Sequence, residues 1–598
     1  MARSNRSAIT SPLIRALSAI LVISMHSPSA ADTPTDAAFR RQFGDACFDR
    51  YWQLNPDFAI SSGYYKYADR LIVPDERSRA AWLEQVERWT EELRRIDPAK
   101  LSPNVRADQA ILDNMLAAER WSLTELRSWQ WNPANYNVAD PFALIANLDY
   151  ASLEERLRTI LDRLENVPAY YAAAKLNIES PTREHIALAI EQNRGALSVF
   201  GNELEAKIAE SKLTNAERNV LAQRIESARA AIEDYVAFLE ALDAKLASGA
   251  SPARSFRLGR ELYAQKFAFD IQSGGTAEQL YARALEEKER LLTRMSLLAD
   301  LLWPRYFPNA APPDDAFDKI GRLIAKLSEQ HVAPEELVAA VTRQIPELEQ
   351  WVRDHGLVDL DPDKPLKVRE TPLYKRGIAG ASIDAPGPYD PTAPTYYNVD
   401  PLDDLTPERA ESWLREYNRW MLQILNIHEA VPGHYVQLVY ANKSPSLIKS
   451  IFGNGAMIEG WAVYTERMML ESGYGDDTAE MWLIYSKWNL RSVSNTILDY
   501  GVHVLDMSEE QAMDLLTREA FQTEQEAADK WKRVTRTSVQ LTSYFAGYAA
   551  IYELRERLKR EQGETFDLKG FHDQFLSYGN APVAVIRDLM SSPSGAQR

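Results

Sequence analysis

The sequence contains a single cysteine, Cys47, among its 598 residues. One cysteine cannot form an internal disulfide, so the folded chain must be held together by packing and by any ligand that it binds. Long apolar runs are also missing, because no stretch downstream of the N-terminus reaches the roughly 20 residues that a membrane helix needs. The sequence therefore predicts neither a disulfide scaffold nor a membrane-spanning protein.

Basic residues are fewer than acidic ones. The chain has 68 basic residues against 86 acidic ones, which gives a formal net charge of −18. Nucleic acids and anionic membranes both present negative phosphates, and such surfaces attract proteins with a basic excess. We therefore expect neither of them as a partner.

The N-terminus has the pattern of a secretory signal. Arg3, Arg6 and Arg15 form a basic region, and the apolar stretch Ala16–Met25 is too short to span a bilayer. Small residues follow, so we predict a cleaved signal peptide over residues 1–31 and export, to the periplasm. No cysteine lies near the cleavage point, so a lipid anchor is not expected. An uncleaved anchor or a buried helix is the alternative.

Helical periodicity dominates the next part of the chain, residues 32–356. In the segment that starts at Thr276, apolar residues recur at helical spacing, and Thr276 with Gln279 is predicted to form a capping box. A second long segment, "LTNAERNVLAQRIESARAAIEDYVAFLEALDAKL", has charges of both signs on its outer face. The fold class is therefore predicted to be mainly α, with an N-terminal helical region that ends near Gly356.

The composition changes at about Leu357 and becomes rich in Pro, Gly and Tyr as far as Thr406. Its β-prone pieces, "PLYKRGIAGASI" and "TYYNV", predict one small antiparallel sheet inside a second region, residues 357–598. Tyr396, Tyr397 and Asn398 are predicted to lie on an edge strand that pairs with an extended peptide. A tyrosine-rich sheet face without a binding role is the alternative.

Histidine is scarce, with 8 in the chain, yet two of them lie in "NIHEAVPGHYVQ". His428-Glu429 opens like the HExxH helix of zinc peptidases, but His434 follows six residues later instead of four. Pro432 lacks an N–H and disrupts a helix, and Gly433 tolerates unusual backbone angles. The pattern predicts a bulge or a break that returns His434 to the side of His428.

A third ligand is available in "GNGAMIEGWAVYTERMML", which carries Glu459 and Glu466 two turns apart on one helix face. Catalytic zinc takes three protein ligands and an open position, and a Glu beside a ligand His can act as general base. A Pro-Gly pair also simply ends helices. From these residues alone, two interpretations remain open: a metal site, or a helix that simply ends at the Pro-Gly pair.

Two motifs resemble those of the bacterial family of unknown function numbered 885, whose members look like zinc-dependent peptidases. The family motifs are His-Glu-x-x-Pro-Gly-His-x-x-Gln and Glu-Gly-Trp-Ala-x-Tyr-x-Glu, and this chain has "HEAVPGHYVQ" and "EGWAVYTE". The resemblance extends over nearly the whole mature chain. It implies one zinc ion, the ligands His428, His434 and Glu459, and Glu429 as general base.

The resemblance suggests further site residues, each with a structural alternative. It implies that Tyr544 stabilises an oxyanion, that His503 assists catalysis and that Arg533 binds a substrate carboxylate. A packed core tyrosine, a satisfied core histidine and an ordinary ion pair are the alternatives. Glu466 is a candidate to hold a ligand histidine, or else a surface carboxylate. The chain departs from the family at Val539, because Ser-Val stands where Pro-Gly is usual.

The resemblance implies a large helical gluzincin-like fold with two lobes around a deep cleft, and an exported zinc peptidase that cleaves short peptides. A metal-dependent amidohydrolase acting on a non-peptide amide would use the same residues and is one alternative. A peptide-binding protein of the same fold without catalysis is the other. Metal analysis and a peptide-cleavage assay separate these possibilities.

Overall fold

The chain is described by a computed structural model that covers residues 33–372, 380–389, 394–403 and 405–591. The predicted signal peptide, residues 1–31, and part of the segment "PLYKRGIAGASI", residues 373–379, lie outside the described residues. Helices account for 72% of the structure, which confirms the mainly α prediction.

Sixteen α-helices precede the sheet within the described residues. In chain order, α1 to α16 are Pro34–Gln42, Asp45–Leu54, Pro56–Ser61, Glu76–Arg94, Pro103–Trp121, Ser128–Trp131, Ala139–Asn147, Leu153–Leu164, Val167–Asn177, Arg183–Ala196, Asn202–Glu210, Asn215–Ala247, Gly259–Ile271, Ala277–Tyr306, Ala316–Leu327 and Leu337–Asp354.

Three strands and eleven α-helices follow in the described residues. The strands β1, β2 and β3 are Leu366–Glu370, Ala381–Asp384 and Thr395–Val399. Helices α17 to α27 are Pro407–Glu416, Met421–Glu429, His434–Asn442, Leu447–Ile451, Gly455–Glu471, Ala479–Val504, Glu509–Asp514, Glu524–Arg536, Ser543–Gln562, Leu568–Ser577 and Val583–Met590.

The long helices begin where the sequence predicts. Helix α14 starts after Thr276, whose hydroxyl accepts from the Gln279 backbone while the Gln279 side chain accepts from the Thr276 backbone. The predicted capping box is thus present. Helix α12 starts in the same way, after a capping box formed by Thr214 and Glu217. Both boxes satisfy N–H groups that the first helical turn leaves without partners.

The sheet is mixed, so the prediction of an antiparallel sheet is wrong. Its strand order is β1-β3-β2, with β3 parallel to β1 and antiparallel to β2. A hairpin between sequential strands is the usual result of a short connection. Here the connection between β1 and β2 is long enough for β3 to insert between them, and the inserted strand runs alongside β1.

The edge-strand prediction for Tyr396, Tyr397 and Asn398 is wrong as well. These residues lie on β3, which is the central strand and is paired on both sides. Tyr397 and Asn398 are fully buried, and the Tyr397 hydroxyl donates to Asn426 Oδ1 of α18 at 2.8 Å. The strand therefore supports the helix that carries His428, and its backbone is not open to a peptide.

Two hydrophobic clusters fill most of the interior. The larger one joins residues of α1, α2, α4 and α5 to residues of α14 and of almost every element that follows. The second lies within α3 and α7 to α12. Position 356 marks the change from helices to sheet, but the larger cluster is continuous across it. Within the described residues, no helix has the length and apolar character needed to cross a membrane.

Candidate metal centre

The chain breaks between the two histidines of the motif. Helix α18 ends at Glu429 and α19 begins at His434. The Ala430 N–H still donates to Asn426 O at 3.0 Å, the Val431–Pro432 peptide bond is cis, and the Gly433 N–H donates back to Ile427 O at 3.0 Å. Of the two predicted alternatives, a bulge or a break, the structure has the break.

Glycine is required at position 433 by a close approach of the backbone. A Cβ atom there would lie 1.9 Å from the carbonyl oxygen of His428, well inside contact distance. The tight return allowed by Gly433 brings the imidazole rings of His428 and His434 to 4.8 Å between centroids, at 89° to each other. The six-residue spacing across the break therefore brings two histidines together, as the four-residue spacing does on an unbroken helix.

Glu459 of α21 completes a cluster of three ligand atoms. Its Oε2 lies 3.5 Å from His434 Nε2 and 3.8 Å from His428 Nε2, and the three ligand atoms all lie within 4.8 Å of one another. Zinc–ligand bonds of ~2.0–2.2 Å in a tetrahedron separate neighbouring ligand atoms by about 3.4 Å. Two imidazoles and one carboxylate at this spacing fit zinc.

A second carboxylate orients His428. Glu466 is fully buried, and its Oε1 accepts from His428 Nδ1 at 2.7 Å and from Trp488 Nε1 of α22 at 2.9 Å. With the Nδ1 proton directed to Glu466, the Nε2 lone pair of His428 is free to bind a metal. The structure therefore places Glu466 behind a ligand histidine and away from the surface.

The pKa shifts of two of the three candidate ligands, His428 and Glu459, favour metal binding, whereas the shift of His434 opposes it. Burial, followed by the neighbouring His434, lowers the pKa of His428 to about 4, so this imidazole is neutral at pH 7. Burial raises the pKa of Glu459, but the two histidines outweigh it and the net shift is downward. Burial lowers the pKa of His434, but its contact with Glu459 outweighs it and the net shift is upward. A neutral imidazole and an ionised carboxylate are the forms that ligate zinc.

Glu429, the last residue of α18, lies beside the cluster and is half-buried. Burial raises the pKa of its carboxyl group, while the adjacent histidines oppose the shift. A carboxylate with a raised pKa is a better proton acceptor near neutral pH than an ordinary glutamate. Glu429 is therefore a candidate general base for a metal bound at this cluster.

Tyr544 is brought to the centre by a contact between two glycines. Helices α21 and α25 cross at Gly460 and Gly547, where a Cβ on Gly547 would lie 1.6 Å from a carbonyl oxygen of α21. Gly460 directly follows Glu459, and Tyr544 lies one turn before Gly547. After burial, the charge of Glu459 is the largest contribution raising the pKa of Tyr544.

The two remaining predicted site residues, Arg533 and His503, differ in their position relative to the metal cluster. Arg533 is exposed, but it donates to the Tyr544 hydroxyl at 3.3 Å and therefore lies beside the centre. His503 is buried near the end of α22, and its Nε2 hydrogen-bonds the carbonyls of Val534 and Thr537 at 2.9 Å each. His503 thus ties α22 to the end of α24 and is not one of the three residues of the metal cluster, while its Nδ1 is buried without a hydrogen-bond partner in the described structure, so its catalytic role stays a prediction.

Three supporting residues were missed by the sequence analysis. Trp461 Nε1 donates to Pro432 O at 2.9 Å, which ties the helix of Glu459 to the break. Trp488 positions Glu466, as described above. The Tyr464 hydroxyl hydrogen-bonds His572 Nε2 at 2.7 Å. Trp461 and Tyr464 belong to the "EGWAVYTE" motif, so the motif itself was the available signal, whereas Trp488 stands outside both motifs.

The fold and the site together define a mainly helical protein with a candidate His-His-Glu metal centre. The chain belongs to the family described as bacterial proteins of unknown function, DUF885, whose model matches residues 56–590. No curated protein is significantly similar to this chain.

Two solved structures are similar to the chain. One, described as "a putative lipoprotein of unknown function from Shewanella oneidensis", is 51% identical, with a TM-score of 0.84 over 93% of this chain and 99% of the other. A second, described as "the putative lipoprotein from Colwellia psychrerythraea", is 18% identical, with a TM-score of 0.74 over 92% of this chain and 97% of the other. The second likeness concerns the fold alone.

Proposed function

We propose that this protein is an exported zinc-dependent peptidase that hydrolyses short peptides. The observation that carries the proposal is the convergence of His428, His434 and Glu459 across a chain break, with Glu429 beside them. Three protein ligands and one open position are typical of catalytic zinc sites, whereas structural sites are closed by four. The partial exposure of Glu459, 23%, is consistent with an open side.

Zinc, when bound, supplies Lewis-acid activation of water and of the substrate carbonyl. Glu429 takes a proton from the attacking water and delivers it to the leaving amine. Burial raises the pKa of Glu429, which suits both steps, because a carboxyl group of ordinary pKa holds a proton too weakly near neutral pH.

Tyr544 donates a hydrogen bond to the oxygen of the carbonyl under attack. A single donor of this kind typically contributes about 10²–10³-fold to turnover. Burial and Glu459 raise the pKa of Tyr544, so its hydroxyl keeps its proton and remains a donor at neutral pH. Glu466 and Trp488 hold His428 in the tautomer that ligation requires.

The gluzincin-like arrangement of two lobes around a cleft also belongs to this proposal. A deep cleft admits short or unfolded peptides and excludes folded proteins. Export is supported by the N-terminal signal pattern and by the description of the 51% identical protein as a putative lipoprotein. Cys47 lies inside α2 and packs against the core, and we propose a periplasmic location for the protein.

The test is a metal-dependence assay on the purified mature protein. A set of short peptides and a set of non-peptide amides are offered to the protein as purified, after chelation and after addition of zinc. We expect peptide cleavage that chelation abolishes and zinc restores. Cleavage of the amides alone would point to an amidohydrolase, and peptide binding without cleavage to an inactive binding protein.

A further inference from the structure

Arg533 is an exposed cation that makes no ion pair with any residue that the structure describes. It lies in the last turn of α24. Its guanidinium donates to Gln540 Oε1 at 2.7 Å and to the Tyr544 hydroxyl at 3.3 Å, and both acceptors are neutral. Two neutral acceptors orient the guanidinium without neutralising it, which leaves its charge available to a ligand.

Lys530, one turn earlier on α24, is only 5% exposed, and burial lowers the pKa of its ammonium group well below the usual value. The positive charge on this side of the centre is therefore assigned to Arg533 alone. The neighbouring cations are already matched, since Arg491 pairs with Glu526 and Lys487 pairs with Glu416. In a protein with a net charge of −18, Arg533 is a cation whose described hydrogen-bond acceptors are both neutral.

This positive charge lies on the Tyr544 side of the metal centre. Arg533 contacts Tyr544 directly, and its charge contributes to lowering the pKa of Glu459, although burial and the two histidines act on that pKa more strongly. The Gly460–Gly547 crossing fixes Tyr544 next to Glu459. A substrate whose carbonyl approaches Tyr544 would therefore extend toward Arg533.

We propose that Arg533 binds the free C-terminal carboxylate of the peptide, so that the enzyme removes residues from the C-terminus. This inference rests on the function proposed above. A guanidinium presents a planar fork of N–H donors that matches the two oxygens of a carboxylate. Every unmodified peptide carries such a group at its C-terminus, regardless of its sequence.

The reach of the site limits how many residues are released. An oxyanion lies ~3 Å from the Tyr544 hydroxyl, and a carboxylate ~3 Å from the guanidinium. With 3.3 Å between the hydroxyl and the guanidinium nitrogen, the two substrate groups are at most about 9 Å apart. An extended chain advances ~3.3–3.6 Å per residue. The site therefore accommodates one or two residues beyond the cleaved bond.

The test compares three matched peptides: one with a free C-terminus, its C-terminal amide, and an amide that ends in glutamate. Affinities are measured on zinc-loaded Glu429→Gln protein, and turnover is measured on the wild type. We expect the free acid to bind about 10- to 100-fold more tightly than both amides, which is the range for hydrogen bonds to a charged group. The glutamyl amide distinguishes a side-chain carboxylate from the C-terminal one.

Arg533→Ala should remove most of this preference and raise KM more than it lowers kcat, and Arg533→Lys should retain part of it. The matched control is Arg536→Ala on the same helix, because Arg536 faces Glu191 at 3.5 Å. That variant should keep the preference for the free acid.

The failures of the two proposals are distinguishable. Equal cleavage of acid and amide would overturn carboxylate recognition and leave the peptidase intact. If no peptide is cleaved but the free acid still binds tightly, the proposed peptidase activity is wrong and carboxylate recognition stands. If the glutamyl amide binds as tightly as the free acid, the C-terminal assignment is wrong. If Arg533→Ala lowers kcat but keeps the preference, Arg533 acts only through Tyr544.

Discussion

Charged residues are used differently in two regions of the molecule. Among the described residues, each ion pair of α7 to α12 has at least one exposed partner, as in Arg194–Glu240, whose partners are 64% and 47% exposed. In α17 to α25, some ion pairs are buried on both sides, as in Lys449–Asp108, whose partners are each 5% exposed. Exposed pairs are worth little, whereas buried charges are costly unless they are matched and are often found at functional sites.

Helix α22 shows the same contrast within one element. It buries a series of polar side chains along its length: Ser486, Lys487, Asn489, Ser492, Ser494, Asn495, Thr496, Asp499 and His503. By contrast, the buried side chains of α12 are apolar apart from one tyrosine. We interpret the α7–α12 region as a structural scaffold and the α17–α25 region as the part that carries the candidate site.

The sharpest test of this contrast is Glu429→Gln. Gln is nearly isosteric but a poor base, so turnover should fall by about 10²–10⁴-fold while zinc content and thermal stability stay at the wild-type level. Steady-state kinetics, metal analysis and thermal unfolding measure the three quantities. Glu411→Gln, on the exposed surface of α17, is the matched control and should be active. Wild-type turnover by zinc-loaded Glu429→Gln protein would remove Glu429 from the mechanism.

A second test compares how much one ion pair from each region contributes to the free energy of unfolding. Lys449→Met leaves Asp108 buried without its cation, and it should lower the free energy of unfolding by about 3–5 kcal/mol. Arg194→Met breaks an exposed pair and should change it by less than about 1 kcal/mol. Denaturant unfolding of both variants measures the difference. Equal effects would mean that burial of charge does not distinguish the two regions.

Tyr544→Phe isolates the hydroxyl from the packing of its ring. It should keep zinc and lower turnover by about 10²–10³-fold, because the donor to the oxyanion is lost. Tyr548 lies one turn later on α25 and accepts from Arg467 at 2.8 Å. Tyr548→Phe is therefore the control, and its turnover should remain near that of the wild type. A similar loss in both variants would indicate a packing effect.

The smallest predicted effect concerns Val539, where the chain departs from its family. Val539 has a φ of +69° and is fully buried, a combination that strains a β-branched residue. Glycine relieves the strain, so Val539→Gly should unfold with a free energy about 1 kcal/mol higher than Val539→Ala. At Val534, which lies in regular helix, the glycine variant should instead have a lower free energy of unfolding than the alanine variant. If the glycine variant is the less stable one at both positions, Val539 is not strained.

Much of the fold could be predicted from local signals in the sequence. Helical periodicity and the capping box at Thr276 act within one element, and the structure confirms both. The presence of one small sheet was predicted, but its strand order and mixed direction were not, because they depend on how the chain crosses between β1 and β3. The edge assignment of Tyr397 depended on that order and failed with it.

The candidate site was predictable as a set of residues but not as a geometry. Pro432 and Gly433 indicated an interruption, yet only the backbone shows that α18 ends and α19 begins there. The partner of Glu466, Trp488, lies on another helix and carries no motif. His503 belongs to a family segment, but its hydrogen bonds are to backbone carbonyls, which sequence patterns do not reveal.

The central claim is that the break returns His434 to a metal shared with His428 and Glu459. It is tested most directly by measuring zinc per chain in the wild type and in His428→Ala, His434→Ala and the surface control His355→Ala. The account predicts about one zinc in the wild type and the control, and an equal loss in both ligand variants. Stoichiometric zinc in folded His434→Ala protein would contradict it.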